Sequence, residues 1–436
     1  MVTRLPRANQ PEVIATANVH LWGRLVGQVL EFSNGRVGFS YDKSYLATGR
    51  AISPKHLPLE AGIFEFPELR NSNSFLGLPG VLADSLPDAF GNKIIQSYFE
   101  AKGERDNALS PVQRLLYVGK RAMGALEYTP ALQRKTKDEE RALEVQSLVE
   151  SARRLIEGGT QDAVQEIMRV GGSAGGARAK ALILWDRARK QVRSGFANAK
   201  AGEDAWLIKF DGVGSANVLD MKAKPHNRIE YTYALLAKHL GIDMAEVSFL
   251  EDSGLFHFMT KRFDREGVDK LHLHSLSGIT HVDFNSPQSF SYEGWFRLML
   301  ELQLGHQAME QAYKRMVFNI VGRNQDDHVK NISFLLDSMT AEWRLAPAYD
   351  LTFAAGSGYT AQHQMTLGGQ SDKFTRALLL ETGKKFSIRH PGEVIDEVVQ
   401  AFSGWSKLAV DYGVPSDLVV EVEKRLRLDV GDGIEV

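Results

Sequence analysis

The 436-residue chain contains no cysteine. It therefore has no disulfide, no thiolate nucleophile and no Cys-ligated zinc or iron–sulfur cluster. It also lacks an apolar run near the roughly 18 residues that a membrane-spanning helix needs, and residues 1–7 are not followed by the apolar segment typical of a signal peptide. These absences fit a reducing compartment, and we expect a cytoplasmic protein.

An excess of charge of one sign is absent as well. The 52 Lys and Arg residues nearly balance the 54 Asp and Glu residues, so the net charge is −2. This balance argues against a protein that binds polyanions over its whole surface, while leaving room for a local basic face. With 43% hydrophobic and 24% charged residues, the composition is typical of a globular protein, and the length predicts two or three domains.

The N-terminal region is predicted to be rich in β-structure. Residues 15–70 contain short alternating segments, and Asn34-Gly35 between two of them is a hairpin signal. Residues 78–101 change to helical spacing. The charged segment 135–158 has apolar residues at i, i+3, i+4 and i+7, which predicts an amphipathic helix. We interpret this helix as a solvated connector rather than as a partner-binding helix.

Three regions follow from this pattern. Residues 1–134 form the β-rich N-terminal region, residues 135–264 the connector helix with a small lobe of strands, and residues 265–436 a mainly helical lobe. The predicted fold class is therefore α+β, with a bilobal arrangement of a sheet-rich lobe followed by a larger helical lobe.

A glycine-rich segment, Gly171–Gly176, precedes a predicted strand. Glycines tolerate positive φ and allow main-chain N–H groups to approach phosphate oxygens closely. The spacing matches neither the Walker motif nor the dinucleotide-binding fingerprint. On this feature alone, a plain turn remains the alternative to a phosphate-binding loop.

Lys209 ends an apolar strand that runs from Trp206 to Ile208. A buried ammonium needs a partner, although a lysine at a strand end can also extend its charge to the solvent. Glu230 lies 21 residues later, in the first turn of a predicted helix. A strand lysine paired with a helix glutamate is how kinases hold a lysine against nucleotide phosphates.

Two polar segments farther along the chain predict a metal-dependent site. Asp326 and Asn331 are five residues apart, which is the spacing of the catalytic aspartate and the metal-binding asparagine in a kinase loop. Asp350 follows a short predicted strand. Asparagine and aspartate oxygens suit Mg²⁺, which takes one or two carboxylates plus substrate phosphates. Together with the glycine loop and Lys209, these segments stand in the order found in kinases and predict a phosphotransferase.

The sequence resembles the HipA family of bacterial serine/threonine-kinase toxins, which belong to type II toxin–antitoxin modules. The resemblance extends over nearly the whole chain. Three segments carry it in the N-terminal region: Val19–Gly27, Leu82–Asp88 and Val118–Ala125. More specific motifs carry it in the catalytic region: Ser173–Lys180, Leu207–Lys209, Lys261–Arg265, Asp326–Asn331 and Tyr349–Leu351. The resemblance implies a protein-kinase-like fold.

It also implies a role for each matching residue. Asp326 would be the catalytic base, with Asn331 beside it in the loop, and Asn331 and Asp350 would hold Mg²⁺. Lys209 would contact the nucleotide phosphates, and Lys261 and Phe263 would flank adenine. The full set assigned to ATP is Gly172, Ser173, Ala174, Gly175, Gly176, Lys180, Lys209, Glu230, Lys261, Phe263, His328 and Lys330.

Regulation and partners follow from the same resemblance. In the family, a serine of the phosphate loop is autophosphorylated, which ejects the loop and inactivates the kinase, and Ser173 occupies that place. The best-known family substrates are aminoacyl-tRNA synthetases, glutamyl-tRNA synthetase among them. The usual antitoxin is a HipB-like helix-turn-helix dimer that binds operator DNA and the toxin together.

Two residues depart from the family pattern. Lys261 replaces a glutamate of the best-known member at the adenine hinge, and Asp327 stands where the family often has glycine. Asp327 would add a carboxylate beside Asp326 and raise a pKa through like-charge repulsion. We keep Asp326 as the catalytic residue because it alone has the five-residue spacing to Asn331.

Alternatives remain for some of these features. His272 and His274 alternate on a predicted strand and would share one face, but no third metal ligand lies nearby in the sequence, so we expect a half-exposed strand. His328 either orients Asp326 or makes a structural hydrogen bond. A small-molecule phosphotransferase of the aminoglycoside-kinase type and a non-catalytic co-repressor on DNA are the rival functions.

Overall fold

The computed structural model describes residues 11–101, 109–132, 142–156, 167, 178–188, 190–213, 225–267 and 269–431. The chain divides into two compact units. The first comprises Met1–Ala223, Asp264–Asp283 and Leu335–Glu342, and the second comprises Lys224–Phe263, Phe284–Phe334 and Trp343–Val436. Each unit contains both strands and helices, which confirms the predicted α+β class.

An antiparallel five-stranded sheet forms the N-terminal part of the first unit. Its strands, in spatial order, are Phe64–Glu65, Val37–Tyr41, Arg24–Phe32, Val13–Leu21 and Leu126–Thr129. The predicted Asn34-Gly35 turn joins two of them. Gly35 has a φ of +74°, and its N–H donates to the Phe32 carbonyl at 2.8 Å, so the predicted hairpin is confirmed.

The same sheet contains a second tight turn that the sequence pattern did not predict. The alternation over residues 17–30 predicts one segment, whereas the structure divides it at Trp22-Gly23. Both residues have positive φ, +49° and +75°, which is the conformation of two-residue hairpin turns. Tryptophan is not a typical turn residue, so the residue types at this position did not predict a turn.

The inward-facing residues of these strands form the core of the N-terminal part. Val19, Val29 and Phe39 are completely buried, because alternate residues of a strand point to the same face. The helix Pro111–Val118 packs against this sheet. It begins with a capping box, in which the side chains of Ser110 and Gln113 each accept the other residue's main-chain N–H.

A second sheet in the first unit carries two of the candidate lysines. Within this unit its strands, in spatial order, are Glu203–Lys209, Lys180–Asp186, Gln191–Ser194 and Ala142–Leu143. The first two strands are antiparallel and place Lys180 directly opposite Lys209. The strand Lys180–Asp186 is buried along its whole length, which accounts for its nearly continuous apolar sequence.

The remaining elements of the first unit are short strands and helices. The strands are Arg265–Glu266, Asp269–Lys270 and His272–Ser275. The helices are Lys43–Leu46, Gly80–Ala83, Ala89–Ala101, Pro111–Val118, Val145–Ile156 and Leu276–Thr280. The amphipathic helix predicted within residues 135–158 is confirmed, but it begins only at Val145, because Ala142–Leu143 pairs with the neighbouring sheet strand instead.

His272 and His274 are not half-exposed, and that prediction was wrong: both are completely buried. The Nε2 of His272 lies 2.8 Å from the Ile52 carbonyl oxygen, and His274 lies between the Ser53 hydroxyl and the Asp84 carboxylate. These partners come from a distant part of the sequence, so local alternation gave no sign of them. Among the described residues, no three or more His, Asp or Glu side chains are grouped so as to hold a metal ion.

The second unit is mainly helical. Its helices are His226–His239, Tyr292–Glu301, Gly305–Val321, Arg376–Lys385, Pro391–Ser403, Trp405–Asp411 and Ser416–Glu423. The apolar spacing of the sequence predicts helices over residues 292–304, 308–322, 391–405 and 415–427 and one from Asn227 to Gly241, which the structure confirms. It does not predict Arg376–Lys385 or Trp405–Asp411. None of the described helices combines the length and the apolar character needed to cross a membrane.

The strands of the second unit are few. They are a hairpin of Val247–Asp252 and Leu255–Lys261, a parallel pair of Phe290–Ser291 and Met365–Thr366, the strand Trp343–Leu345, and the strand Ser333–Leu336, which begins in this unit. Every residue from Arg315 to Val321 at the end of the central helix is buried. This helix leads directly towards the polar residues 326–331, so that segment is anchored in the core on its N-terminal side.

Candidate active site

The segment Asp326–Asn331, called the catalytic loop below after its predicted role, is closed by its own hydrogen bonds. The Asn331 side-chain Nδ2 donates to the Asp326 carbonyl at 2.9 Å, and the Asn331 main-chain N–H donates to the His328 carbonyl at 2.9 Å. This side-chain bond engages the amide nitrogen of Asn331 and not its Oδ1. The Asp326 side chain is 43% exposed, so a substrate hydroxyl can approach its carboxylate.

Asp327, the next residue, has its side chain in the protein interior. Its side chain is completely buried and accepts three hydrogen bonds: from the Tyr292 hydroxyl at 2.5 Å, the His363 Nδ1 at 2.8 Å and the Gln364 main-chain N–H at 2.7 Å. Burial and the Asp327 charge raise the pKa of Tyr292 well above its usual value. The carboxylate that the sequence placed beside Asp326 is therefore an internal anchor of the catalytic loop.

Asp350 occupies an unusual backbone conformation. Its φ of +53° lies in the left-handed region, which is uncommon for residues other than glycine, asparagine and aspartate. The preceding Tyr349 is held firmly, because its hydroxyl donates to the Lys330 carbonyl at 2.8 Å and lies 2.6 Å from the Ser333 Oγ. Tyr349 thus joins the segment that carries Asp350 to the end of the catalytic loop.

The predicted adenine hinge lies in the same unit. The Lys261 N–H donates to the Glu246 carbonyl at 2.7 Å, and the two side chains form an ion pair with 3.6 Å between Nζ and Oε2. The Phe263 ring centroid lies 5.6 Å from that of Tyr349. The structure therefore brings Phe263 next to the tyrosine that precedes Asp350.

His328 of the catalytic loop is buried apart from a small part of its side chain. Its Nε2 lies 3.6 Å from the Asp326 Oδ1, which is too long for a direct hydrogen bond. The Phe284 ring lies against it, with 5.2 Å between centroids. Of the two roles predicted for His328, the geometry favours that of a group positioned beside Asp326 over that of a structural hydrogen bond.

The lysines assigned to the nucleotide phosphates lie in the first unit. Lys209 is 8% exposed, and Lys180 forms a buried ion pair with Asp88, which sequence reasoning did not assign to the site. Glu230 is 1% exposed but belongs to the second unit, so its pairing with Lys209 stays a prediction. Asp88 was part of a motif recognised in the sequence, but nothing in its local pattern indicated its partner.

The phosphate-loop residues Gly172, Ser173, Ala174, Gly175 and Gly176 lie outside the described residues. Their binding to phosphate and the autophosphorylation of Ser173 therefore stay predictions. In the second unit, the described candidate residues are those of the catalytic loop, the segment Tyr349-Asp350 and the hinge Lys261–Phe263. In the first unit, they are Lys180 and Lys209 on two paired strands.

Two family models match this chain. The family model described as HipA-like C-terminal domain matches residues 172–405, and that described as HipA N-terminal domain matches residues 17–129. No curated protein gives a significant sequence match.

Two solved structures are similar to this chain. One comes from the HipA, HipB and operator DNA complex of the Shewanella oneidensis MR-1 toxin–antitoxin system, with a TM-score of 0.65 and 15% identity over 96% of this chain and 100% of that chain. The other is the Helicobacter pylori proinflammatory kinase CtkA, with a TM-score of 0.34 and 12% identity over 52% of this chain and 89% of that chain. At such identity the first similarity establishes the fold.

Proposed function

The chain belongs to the HipA family, and from this premise we propose that it is an ATP-dependent serine/threonine protein kinase that acts as the toxin of a type II toxin–antitoxin system. The observation that carries the proposal is the catalytic loop, in which Asn331 is bound to the Asp326 carbonyl while the Asp326 carboxylate remains exposed. A kinase needs this combination of an accessible proton acceptor and a fixed neutral oxygen ligand.

Each described residue of the site has a task in this proposal. Asp326 orients the serine or threonine hydroxyl of the substrate and accepts its proton. Lys209 and Lys180 contact the phosphates, and Lys261 and Phe263 flank the adenine. His328 and Lys330, within the catalytic loop, contribute to the nucleotide site.

The donor set fits a magnesium ion. Asn331 and Asp350 would hold it, because hard oxygen ligands suit Mg²⁺ and its remaining positions are usually filled by water and substrate phosphates. When bound, the metal neutralises part of the charge on the phosphates. The hydrogen bond to the Asp326 carbonyl supports this role, since it engages the Asn331 nitrogen and not its oxygen.

The proposal extends to targets and regulation. An aminoacyl-tRNA synthetase is the proposed substrate, with glutamyl-tRNA synthetase as the first to test, and its phosphorylation would halt translation. A HipB-like dimer would be the antitoxin and would connect the toxin to operator DNA. Autophosphorylation of Ser173 would inactivate the kinase, because a phosphate adds about −1.5 to −2 charges to a loop that has to accommodate ATP phosphates.

Labelled ATP tests the activity directly. Purified wild-type protein, incubated with Mg²⁺ and a panel of purified synthetases, should transfer phosphate to one of them, while Asp326→Asn should not. Intact-mass analysis should find one added phosphoryl group in wild type at Ser173 and none in Asp326→Asn or Ser173→Ala. Transfer to an aminoglycoside instead of a protein would favour the rival small-molecule kinase, and the absence of any ATP turnover would remove the enzymatic proposal.

A further inference from the structure

A buried ion pair in the first unit connects Lys180 to the N-terminal region. The Lys180 Nζ lies 3.0 Å from the Asp88 Oδ2, and the two side chains are only 5% and 1% exposed. Buried charges of this kind persist where they are paired. Asp88 lies between the N-terminal sheet strands and the helix Pro111–Val118 in sequence, far from the catalytic motifs.

Asp88 is itself held in one orientation. Its Oδ1 accepts the Gly91 N–H at 2.6 Å, and its carbonyl oxygen accepts the Asn92 N–H at 2.7 Å. These are the hydrogen bonds of an N-cap residue at the start of the helix Ala89–Ala101. Since one carboxylate oxygen is bound to the helix, the other is directed at the Lys180 ammonium.

Lys180 begins its strand directly opposite Lys209. Residues opposed in this way place their side chains on the same face of the sheet, with Cβ atoms about 4.5–5.5 Å apart. Two neighbouring ammonium groups disfavour each other's charged form. The Asp88 carboxylate supplies an opposite charge 3.0 Å from the Lys180 ammonium.

We propose that Asp88 is a positioning residue of the nucleotide site: its carboxylate holds the Lys180 ammonium beside Lys209, so that both lysines meet the phosphates of ATP. The inference rests on the proposed function, because it takes ATP as the ligand of the two lysines. An ammonium has three N–H donors, and the ion pair with Asp88 needs only one of them. The N-terminal region thereby acts on nucleotide binding through a single side chain.

The electrostatics of Asp88 give this role a pH signature. Burial raises the pKa of the Asp88 carboxyl to about 6, although the Lys180 ammonium and the main-chain N–H groups of Gly91 and Phe90 oppose the rise. Lys180 is the charged group that lowers the pKa of the Asp88 carboxyl. Arg114 of the adjacent helix binds the Asn92 side chain instead. Below about pH 6 the carboxyl is protonated and no longer holds Lys180.

ATP affinity as a function of pH tests the proposal. Calorimetric titration of the full chain with ATP and Mg²⁺ between pH 5 and pH 8 is compared for wild type and Asp88→Asn. At pH 7.5 the variant should bind ATP about tenfold more weakly, equivalent to about 1.4 kcal/mol. The ratio of the two affinities should approach one below pH 6, because wild-type Asp88 is then neutral as well. The titration of ATP itself is common to both proteins and cancels in the ratio.

Glu203→Gln is a matched control. Glu203 and Arg193 form another buried ion pair in the same sheet, with 2.5 Å between atoms and side chains that are 7% and 5% exposed. Breaking that pair should lower the melting temperature while leaving the ATP affinity at the wild-type value at every pH. A purely structural role for Asp88 predicts the same behaviour for Asp88→Asn, and that result would overturn the proposal.

Lys180→Met provides a second route if Asp88→Asn does not fold. Removal of the ammonium should weaken ATP binding at pH 7.5, and this loss should shrink below pH 6, where wild type no longer positions Lys180. A loss that is constant with pH overturns the inference. Wild-type protein that fails to bind ATP overturns the proposed function and this inference together, whereas normal ATP binding with an unchanged Asp88→Asn overturns the inference alone.

Discussion

Asp326 and Asp327 are adjacent in sequence, but their carboxylates have opposite surroundings. The Asp326 side chain is 43% exposed, whereas that of Asp327 is completely buried and accepts hydrogen bonds from Tyr292, His363 and Gln364. One carboxylate is accessible to a substrate, and the other fixes the loop that presents it. The two residues are both aspartates, so their different roles arise from the exposure and hydrogen bonding of each carboxylate.

Substitution of these two residues should have separable effects. Asp326→Asn is expected to lower the phosphotransfer rate by about 10²–10⁴-fold, the usual contribution of a general base, with an unchanged melting temperature. Asp327→Asn is expected to retain measurable activity but to lose about 1–3 kcal/mol of unfolding free energy, because it disrupts a buried hydrogen-bond network. Kinase assays and urea unfolding of both variants measure this, and the reverse order of severity would transfer the catalytic role to Asp327.

Asp350 allows a substitution that separates charge from backbone conformation. Asn tolerates the left-handed conformation almost as well as Asp, so Asp350→Asn should keep the melting temperature despite the φ of +53°. The loss of a charged magnesium ligand should reduce turnover by about 10²–10³-fold and raise the Mg²⁺ concentration needed for half-maximal rate. A magnesium titration of the kinase reaction gives both values. A wild-type magnesium requirement in the variant would remove Asp350 from the metal site.

Three histidines of the first unit lie near Asp84, and a fourth stacks on one of them. His272 and His274 are in the strand described above, His281 follows the helix Leu276–Thr280, and His56 stacks on His281 with 3.9 Å between ring centroids. Burial lowers the pKa of His272 to about 4 and that of His281 to about 3. The His281 Nε2 accepts the Gly80 N–H at 3.0 Å, a hydrogen bond that requires the neutral ring.

This cluster should make the protein sensitive to mild acid. The folded-state pKa values are depressed below the unfolded value of about 6.5, so the stabilisation is fully present above pH 6.5 and is lost as the pH falls towards 4 and 3. Protonation of His272 and of His281 should each lower the unfolding free energy on the order of 1–2 kcal/mol between pH 6.5 and pH 5. Urea unfolding at both pH values measures the loss.

Two variants with the same backbone conformation isolate the effect. His281 and His390 both have positive φ, +56° and +47°, but the His390 side chain is 73% exposed. His281→Asn should reduce the difference in stability between the two pH values, whereas His390→Asn should leave it unchanged. Equal acid sensitivity of wild type and His281→Asn would contradict the assignment to this cluster.

Helices and turns could be predicted from the sequence where their signal lies in consecutive residues. The Asn34-Gly35 hairpin and the helix Gly305–Val321 follow from turn chemistry and apolar spacing. The five-residue separation of Asp326 and Asn331 predicts the catalytic loop, and that role stays a prediction. The helix Arg376–Lys385 was missed because its three consecutive leucines, Leu378 to Leu380, give no clear period. Periodicity is informative only when one face of an element differs from the other.

The unpredicted parts of the site depend on contacts between distant segments. The residues around Asp327 in the sequence do not indicate that His363 is its partner, and those around Lys180 do not indicate Asp88. The buried state of His272 and His274 was mispredicted for the same reason, since Ile52 and Asp84 supply the partners that make burial tolerable. One sequence shows which side chains are present, whereas their pairing is a property of the folded molecule.

At the scale of the whole molecule, the first unit is assembled from three separate stretches of chain, the last of which ends at Glu342. During translation, Ile52 and Asp84 leave the ribosome long before their partners: His272 follows Ile52 by 220 residues and His274 follows Asp84 by 190. At about 5–20 residues per second, that interval lasts about 10–40 s. During that interval the partners His272 and His274 have not been synthesised, so the nascent N-terminal region is accessible to chaperones. The first unit can be completed only after most of the chain, including the catalytic loop, has been made.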